Sequence, residues 1–112
     1  MALTHTAEEL INRTAALLGK FVPGEALGAV EHDTIDRSLD DVLAEIGRIV
    51  AIDRDQIPNL HFETVARMCA IYASADFSNV PLDLNAVFQH EQRLRYLIAQ
   101  SPTYEVLAVH YF

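Results

Sequence analysis

Apolar residues recur every three or four positions along four stretches of this chain, which is the spacing of amphipathic α-helices. We predict a first helix from about Thr6 to Leu18, with Thr6 and Glu9 forming a capping box at its start. The second helix should cover roughly Ala29 to Val50 and is the most regular of the four. Its apolar stripe comprises Ile35, Leu39, Val42, Leu43, Ile46, Ile49 and Val50. The segment Asp53–Asp55 then indicates a turn.

Two more helices are predicted in the second half of the chain. The third should begin at Pro58, because proline suits a first helical position, and should end near Ala75. Its wide apolar face, which includes small residues, predicts the central helix of a bundle. Residues 76–81 should form a loop, and Asp83 is a good N-cap for the fourth helix. The stripe of the fourth helix comprises Leu84, Val87, Phe88, Leu94 and Ile98, with Glu91 and Arg95 beside it.

The last ten residues, Thr103–Phe112, have a different pattern. They are rich in β-branched and aromatic residues on both faces, which favours an extended strand, although we expect no second strand in the chain to pair with it. The predicted fold is therefore all-α: a small bundle of about four helices in residues 1–102, and an extended C-terminal tail in residues 103–112. The tail either folds back over the bundle or adds as an edge strand to another chain. The residues expected to dock are Tyr104, Val106, Val109, Tyr111 and Phe112.

Composition narrows the class of protein. The chain has 112 residues, of which 51% are hydrophobic, so a single domain with a real core is expected. Its formal charge of −8, without clustered Lys and Arg, argues against nucleic-acid affinity. One cysteine and the absence of a signal-peptide pattern favour the cytoplasm, and no apolar stretch is long enough to span a membrane.

Candidate chemistry is sparse. The five histidines (His5, His32, His61, His90 and His110) do not present a helical ligand pair, so we expect no metal site. Cys69 lies in the apolar stripe of the third helix and should be a buried small hydrophobe rather than a nucleophile. Phosphate-binding, dinucleotide-binding and zinc-protease motifs are absent, so we expect no cofactor and no enzyme activity.

The outer side of the second helix carries a row of carboxylates. The residues concerned are Asp36, Asp40, Asp41 and Glu45. A solvated helix surface is the simplest interpretation. The other interpretations are a wall facing a channel, a surface that meets a basic partner, and a carboxylate pair for acid–base chemistry, which would need a pocket and perturbed pKa values.

Taken together, these segments resemble the small helical head-to-tail connector (adaptor) proteins of tailed bacteriophages and prophages. The resemblance covers roughly Thr6 to Ala99. It rests on helix caps and apolar spacings rather than on a catalytic signature. The matching pieces are Thr6–Arg13, Leu17–Gly19, Pro23–Glu25, Ser38–Leu43, Ile57-Pro58 with the alanine-rich helix after it, and Leu94-Arg95.

The resemblance implies a virion structural protein at the portal vertex. Such adaptors form a homo-oligomeric ring under the portal protein, with twelve subunits expected, and offer a docking surface to tail or head-closure proteins while the genome passes through the centre. The protein would be present in the host cytoplasm during assembly. Alternatives are another neck component (head closure or tail terminator), a small regulatory module that binds a peptide, and a small helical enzyme with its site between subunits.

Overall fold

A computed structural model describes residues 4–20 and 24–100. It contains two-residue strands β1 (Thr4–His5) and β2 (Ile57–Pro58) and four helices, in the order β1-α1-α2-β2-α3-α4. The helices are α1 (Ala7–Leu17), α2 (Ala29–Ile46), α3 (Asn59–Ser78) and α4 (Leu84–Gln100). The predicted helical bundle is thereby confirmed. The predicted tail, residues 103–112, lies outside the described residues.

The start of α1 follows the sequence pattern closely. The backbone N–H of Glu9 donates to Thr6 Oγ1 at 3.3 Å, and the backbone N–H of Thr6 donates to Glu9 Oε1 at 2.9 Å. This reciprocal capping box satisfies two amides that a helix N-terminus would otherwise leave unpaired. The helix ends at Leu17, and Gly19 then adopts a left-handed conformation with φ of 73°.

The end of α2 was predicted wrongly. The helix stops at Ile46 with Gly47 as its C-cap, rather than continuing to Val50. Glycine has a low helix propensity, and the backbone N–H groups of Ile49 and Val50 both turn back to the Ile46 carbonyl. Ile49 and Val50 are apolar because they pack against the core from this turn, not because they continue the helix.

Both ends of α3 differ from the prediction. Pro58 is the N-cap and part of β2, so it is not the first helical residue. The helix then continues to Ser78, through three residues predicted as loop, because Phe77 packs on the apolar cluster around Ile11 and Ile35. Asn79 ends it in the left-handed region with φ of 52°, a conformation that asparagine tolerates.

The strands β1 and β2 show that the expectation of no strand besides the C-terminal tail was wrong. They pair antiparallel, with Thr4 opposite Pro58 and His5 opposite Ile57. The His5 ring also lies 2.9 Å from Asn59 Oδ1, at the start of α3. Two residues are too few for an alternating pattern to be recognised. The short sheet holds the N-terminus of α1 beside the N-terminus of α3.

Helix α3 occupies the centre of the bundle, as predicted. It packs against α1, α2 and α4, and both strands also contact it. Leu39 and Ile46 of α2 share the main core cluster with Met68 and Cys69 of α3. The fully buried large side chains are Leu10, Ile11, Ile35, Leu39, Ile46, Ile57, Met68 and Leu94.

Helix α4 is covered on one side only. Asp83 caps it, as predicted, because its Oδ1 accepts from the Ala86 N–H at 3.1 Å. Val87 and Leu94 are buried, but Leu84 and Phe88 of the same predicted stripe are 70% and 58% exposed. Among the described elements, only α3 makes substantial contact with α4. The contact with α3 therefore buries only part of the apolar stripe of α4.

Two leucines of α4 provide a matched test of this packing. Leu94→Ala should lower the free energy of unfolding by about 2–5 kcal/mol, because Leu94 is completely buried and its truncation leaves a cavity. Leu84→Ala, on the exposed edge, should change it by less than about 0.5 kcal/mol. Urea denaturation of both variants measures the difference, and equal losses would show that α4 is not packed as described.

Candidate interaction surfaces

The predicted acidic row on α2 is paired with an arginine from outside the helix. The sequence pattern did not indicate this pairing. Arg54 bonds to Asp36 and, through Nη1, to Asp40 Oδ1 at 2.5 Å. Arg54 lies in the turn before β2, where the Gln56 N–H donates to the Asp53 carbonyl at 3.0 Å. The bond to Asp36 is the main reason that the pKa of Arg54 is raised. The pair of carboxylates therefore ties this turn to α2.

The other two residues of the row have different surroundings. Asp41 is exposed, and Glu45 lies 3.5 Å from Arg48, in the turn that follows α2. Two of the four predicted carboxylates thus share Arg54, one has a local partner, and one faces solvent. Their assignment to a channel wall stays a prediction.

An ion pair links the end of α2 to α4. Arg48 Nη2 lies 2.5 Å from Glu91 Oε2, where the Glu91 side chain is 9% exposed and the Arg48 side chain 51%. Glu91 was predicted to lie beside the apolar stripe, and no partner was predicted for it. Tyr72 has a raised pKa close to this pair. The main cause is burial, followed by the charges of Glu45, Glu91 and Asp41. The pair joins the turn after α2 to the middle of α4.

A groove runs between α3 and α4 on the flank where Leu60 and Arg93 lie, and we call it the α3–α4 groove. It encloses about 680 Å³. Its lining residues are Asn59, Leu60, Glu63, Thr64 and Arg67 from α3, and His90, Arg93 and Leu97 from α4. Their spacing of three and four residues places each set on one helix face. That spacing is the signal by which the sequence could have revealed the groove.

The α3–α4 groove is cationic in a protein that is acidic overall. Its one lining carboxylate, Glu63, accepts from Arg13 at 2.8 and 2.9 Å and from Arg67 at 3.0 Å. The bond from Arg13 is the main cause of the lowered pKa of Glu63. Arg93 lies over the Tyr96 ring at 5.3 Å. Burial, and then the charge of Arg67, lowers the pKa of His90.

The opposite flank of α4 exposes Leu84 and Phe88, and we call it the α4 apolar edge. Leu84 and Arg93 are nine residues apart, about two and a half helical turns, so the edge and the groove lie on opposite sides of α4. Near the end of the same helix, Ile98 and Arg95 line a shallow depression of about 250 Å³ with Ile49. Large apolar side chains are thus exposed along much of α4.

Candidate groups for chemistry are dispersed. Among residues 4–20 and 24–100, no three His, Cys, Asp or Glu side chains are placed to hold a metal ion. Cys69 is buried, as predicted, and burial raises the pKa of its thiol. His61 is also buried, and its Nδ1 has no hydrogen-bond partner. None of the helices in this part of the chain is long and apolar enough to cross a membrane.

Comparison of the chain with protein-family models, with curated protein sequences and with solved structures finds no match. The resemblance to bacteriophage adaptors therefore depends on the helix caps and apolar spacings described above. The surfaces of α3 and α4 are the structural features from which a function can be argued.

The Arg48–Glu91 pair should be asymmetric in its effect on stability. Arg48→Met leaves the buried Glu91 carboxylate without its partner, whereas Glu91→Gln leaves the half-exposed Arg48 free to be hydrated. We expect the melting temperature to fall more for Arg48→Met than for Glu91→Gln, as measured by circular dichroism. The reverse order would mean that Glu91 is solvated.

His61 should contribute to the loss of folding stability at acid pH. Burial lowers its pKa, so below about pH 6.5 the unfolded chain binds a proton more readily than the fold does. Stability should thus be retained above that pH and lost as the pH falls, and His61→Leu should reduce the loss. His5→Gln is the control with the opposite sign, because the bond to Asn59 raises the pKa of the partly exposed His5. Denaturation at pH 5, 6 and 7 measures both, and parallel curves for His61→Leu and the wild type would contradict the assignment.

Proposed function

We propose that this protein is a virion structural protein, a head-to-tail adaptor that assembles as a ring under the portal of a tailed bacteriophage. It would join the portal to the tail or to a head-closure protein, with DNA passing through the centre. On this proposal the protein catalyses no reaction and needs no cofactor. The sequence resemblance suggests the role, and the surfaces of α4 supply its physical basis.

The observation that carries the proposal is that residues 4–20 and 24–100 cover α4 incompletely. Leu84, Phe88 and Tyr96 are each more than half exposed on this helix, and Val80 in the preceding loop is exposed as well. Exposed apolar side chains grouped along one element are typical of surfaces that another protein covers. A bundle whose last helix is packed on one side is therefore better suited to an assembly than to a free monomer.

The C-terminal tail lies outside the described residues and remains the second element of the proposal. Tyr104, Val106, Val109, Tyr111 and Phe112 would dock onto a neighbouring subunit or onto the portal. A ring of identical subunits uses heterologous contacts, in which one patch meets a different patch on the next copy. A terminal segment that leaves its own subunit provides such a contact.

The acidic row suits a wall close to DNA. Asp36 and Asp40 share the single guanidinium of Arg54, which leaves a surplus negative charge, and Asp41 adds another at the surface. Carboxylates repel a phosphate backbone and do not retain a moving polyanion. We therefore assign this row to the channel side of the proposed ring.

The α3–α4 groove favours a second candidate function, a regulatory module that takes a partner peptide. Its volume and mixed apolar and cationic lining are suited to a short segment. Such a module would bind a partner without forming a ring and would be absent from phage particles. If the protein is found in the neck of the particle, its position there would distinguish an adaptor from a head-closure or tail-terminator protein.

Electron microscopy of purified particles carrying a tagged copy of the protein tests the proposed location. We expect the label directly below the portal vertex, and a label anywhere else in the particle would refute the adaptor role.

Deletion of Thr103–Phe112 should abolish incorporation into particles and leave the helical circular dichroism signal intact. A chain with a Gly-Ser segment of equal length in place of these residues controls for chain length. Normal incorporation of either variant would remove the tail from the proposal.

A further inference from the structure

We infer that the α3–α4 groove receives the C-terminal segment, residues 103–112, of a second copy of this chain. The inference rests on the proposed ring and adds to it the receiving surface and the residues that line it. The occupant follows from the shape, the apolar walls and the charge of the groove, together with the sequence and length of the segment.

The apolar part of the groove offers sites for the side chains of an extended segment. Leu60 is 49% exposed at the α3 side, and Leu97 lines the α4 side. The stems of Arg67 and Arg93 add apolar surface between them, because long cationic side chains cover area while their charged ends reach water. A segment with Tyr104, Val106 and Leu107 has the side chains to fill such sites.

The charges of the groove match those of the segment. Arg67 and Arg93 both line it, and Glu63 is already held by Arg13 and Arg67. An incoming carboxylate therefore meets cations rather than an unpaired acid. Residues 103–112 contain one carboxylate side chain, Glu105, beside Tyr104. Guanidinium groups also stack on aromatic rings, as Arg93 does on Tyr96. The arginines of the groove therefore suit both Glu105, as a carboxylate, and Tyr104, as an aromatic ring.

The length of the segment is sufficient. Ten extended residues span up to about 33 Å, whereas the stretch of α3 that lines the groove, residues 59–67, is about 12 Å long. The segment is thus long enough to span the lined part of the groove and to bridge the gap between two copies. Each copy would insert its segment into the next copy and receive one from the previous copy, which is the heterologous contact that closes a ring.

The α4 apolar edge is the competing surface, and it provides a matched control. Leu84 and Arg95 lie on the same side of α4, about three helical turns apart, whereas Leu60 and Arg93 both line the groove. Leu60→Asp with Arg93→Glu, and Leu84→Asp with Arg95→Glu, change the net charge by the same amount. All four residues are at least partly exposed or lie at the surface of a groove, so both double variants should fold, which circular dichroism verifies.

The first experiment is sedimentation velocity of the full-length chain over a range of concentrations. We expect the wild type to self-associate, and the groove double variant to raise the dissociation constant by about tenfold or more, as loss of an anchoring contact does. The edge double variant should change it by less than about twofold, because the inference assigns the α4 apolar edge to the portal or tail protein and only the groove to the next copy. A monomeric wild type, or equal effects of the two variants, would overturn the inference.

The second experiment locates the segment directly. Tyr104→p-benzoylphenylalanine is cross-linked by light in a mixture of isotopically heavy and light full-length chains. Cross-links between heavy and light chains, mapped to residues 59–67 or 90–97, are the expected result. Cross-links confined to single chains would show that the tail folds back on its own bundle. Cross-links between chains that map to another surface would place the segment elsewhere.

The two proposals can fail separately. Groove-dependent self-association by a protein that is absent from phage necks would end the adaptor role and leave the inference standing. Correct location in the neck, combined with assembly that is insensitive to the groove variants, would end the inference and leave the adaptor role standing.

Discussion

The rest of this structure depends on the burial of α3. Its side chains are buried around most of its circumference, since α1, α2 and α4 all pack against it and the paired strands hold its start. A helix in this position cannot be exposed without loss of the whole core. The functional surfaces are consequently those that the other helices leave open. The α3–α4 groove exists because α4 covers only part of the flank of α3.

Three arginines of the chain connect separate elements of the fold. Arg13, Arg48 and Arg54 each pair with a carboxylate that is distant in the sequence, and each pair joins two elements. Exposed ion pairs contribute little stability, but they help to specify which elements lie together. With these cations engaged, the acidic surplus dominates much of the surface. Arg67 and Arg93 then give the groove a charge opposite to that of the protein as a whole.

This distribution of charge and apolar surface is consistent with a protein whose role is to bind other proteins. Affinity in such proteins comes from a few well-placed apolar and aromatic anchors, whereas charge sets orientation and partner choice. The α4 apolar edge and the α3–α4 groove present these two kinds of surface on opposite sides of one helix. In the proposed role, α4 would meet a different partner on each side.

Local spacing was enough to determine the helices of this protein, because a helix side chain repeats every three or four residues whatever lies around it. The capping residues Thr6 and Asp83 were predictable for the same reason, since a cap acts within one turn. Tertiary structure alone decided that Leu84 stays exposed while Leu94 is buried, because the neighbour that covers α4 comes from elsewhere in the chain. It also decided the partner of Glu91, which lies 43 residues away and has no local signature.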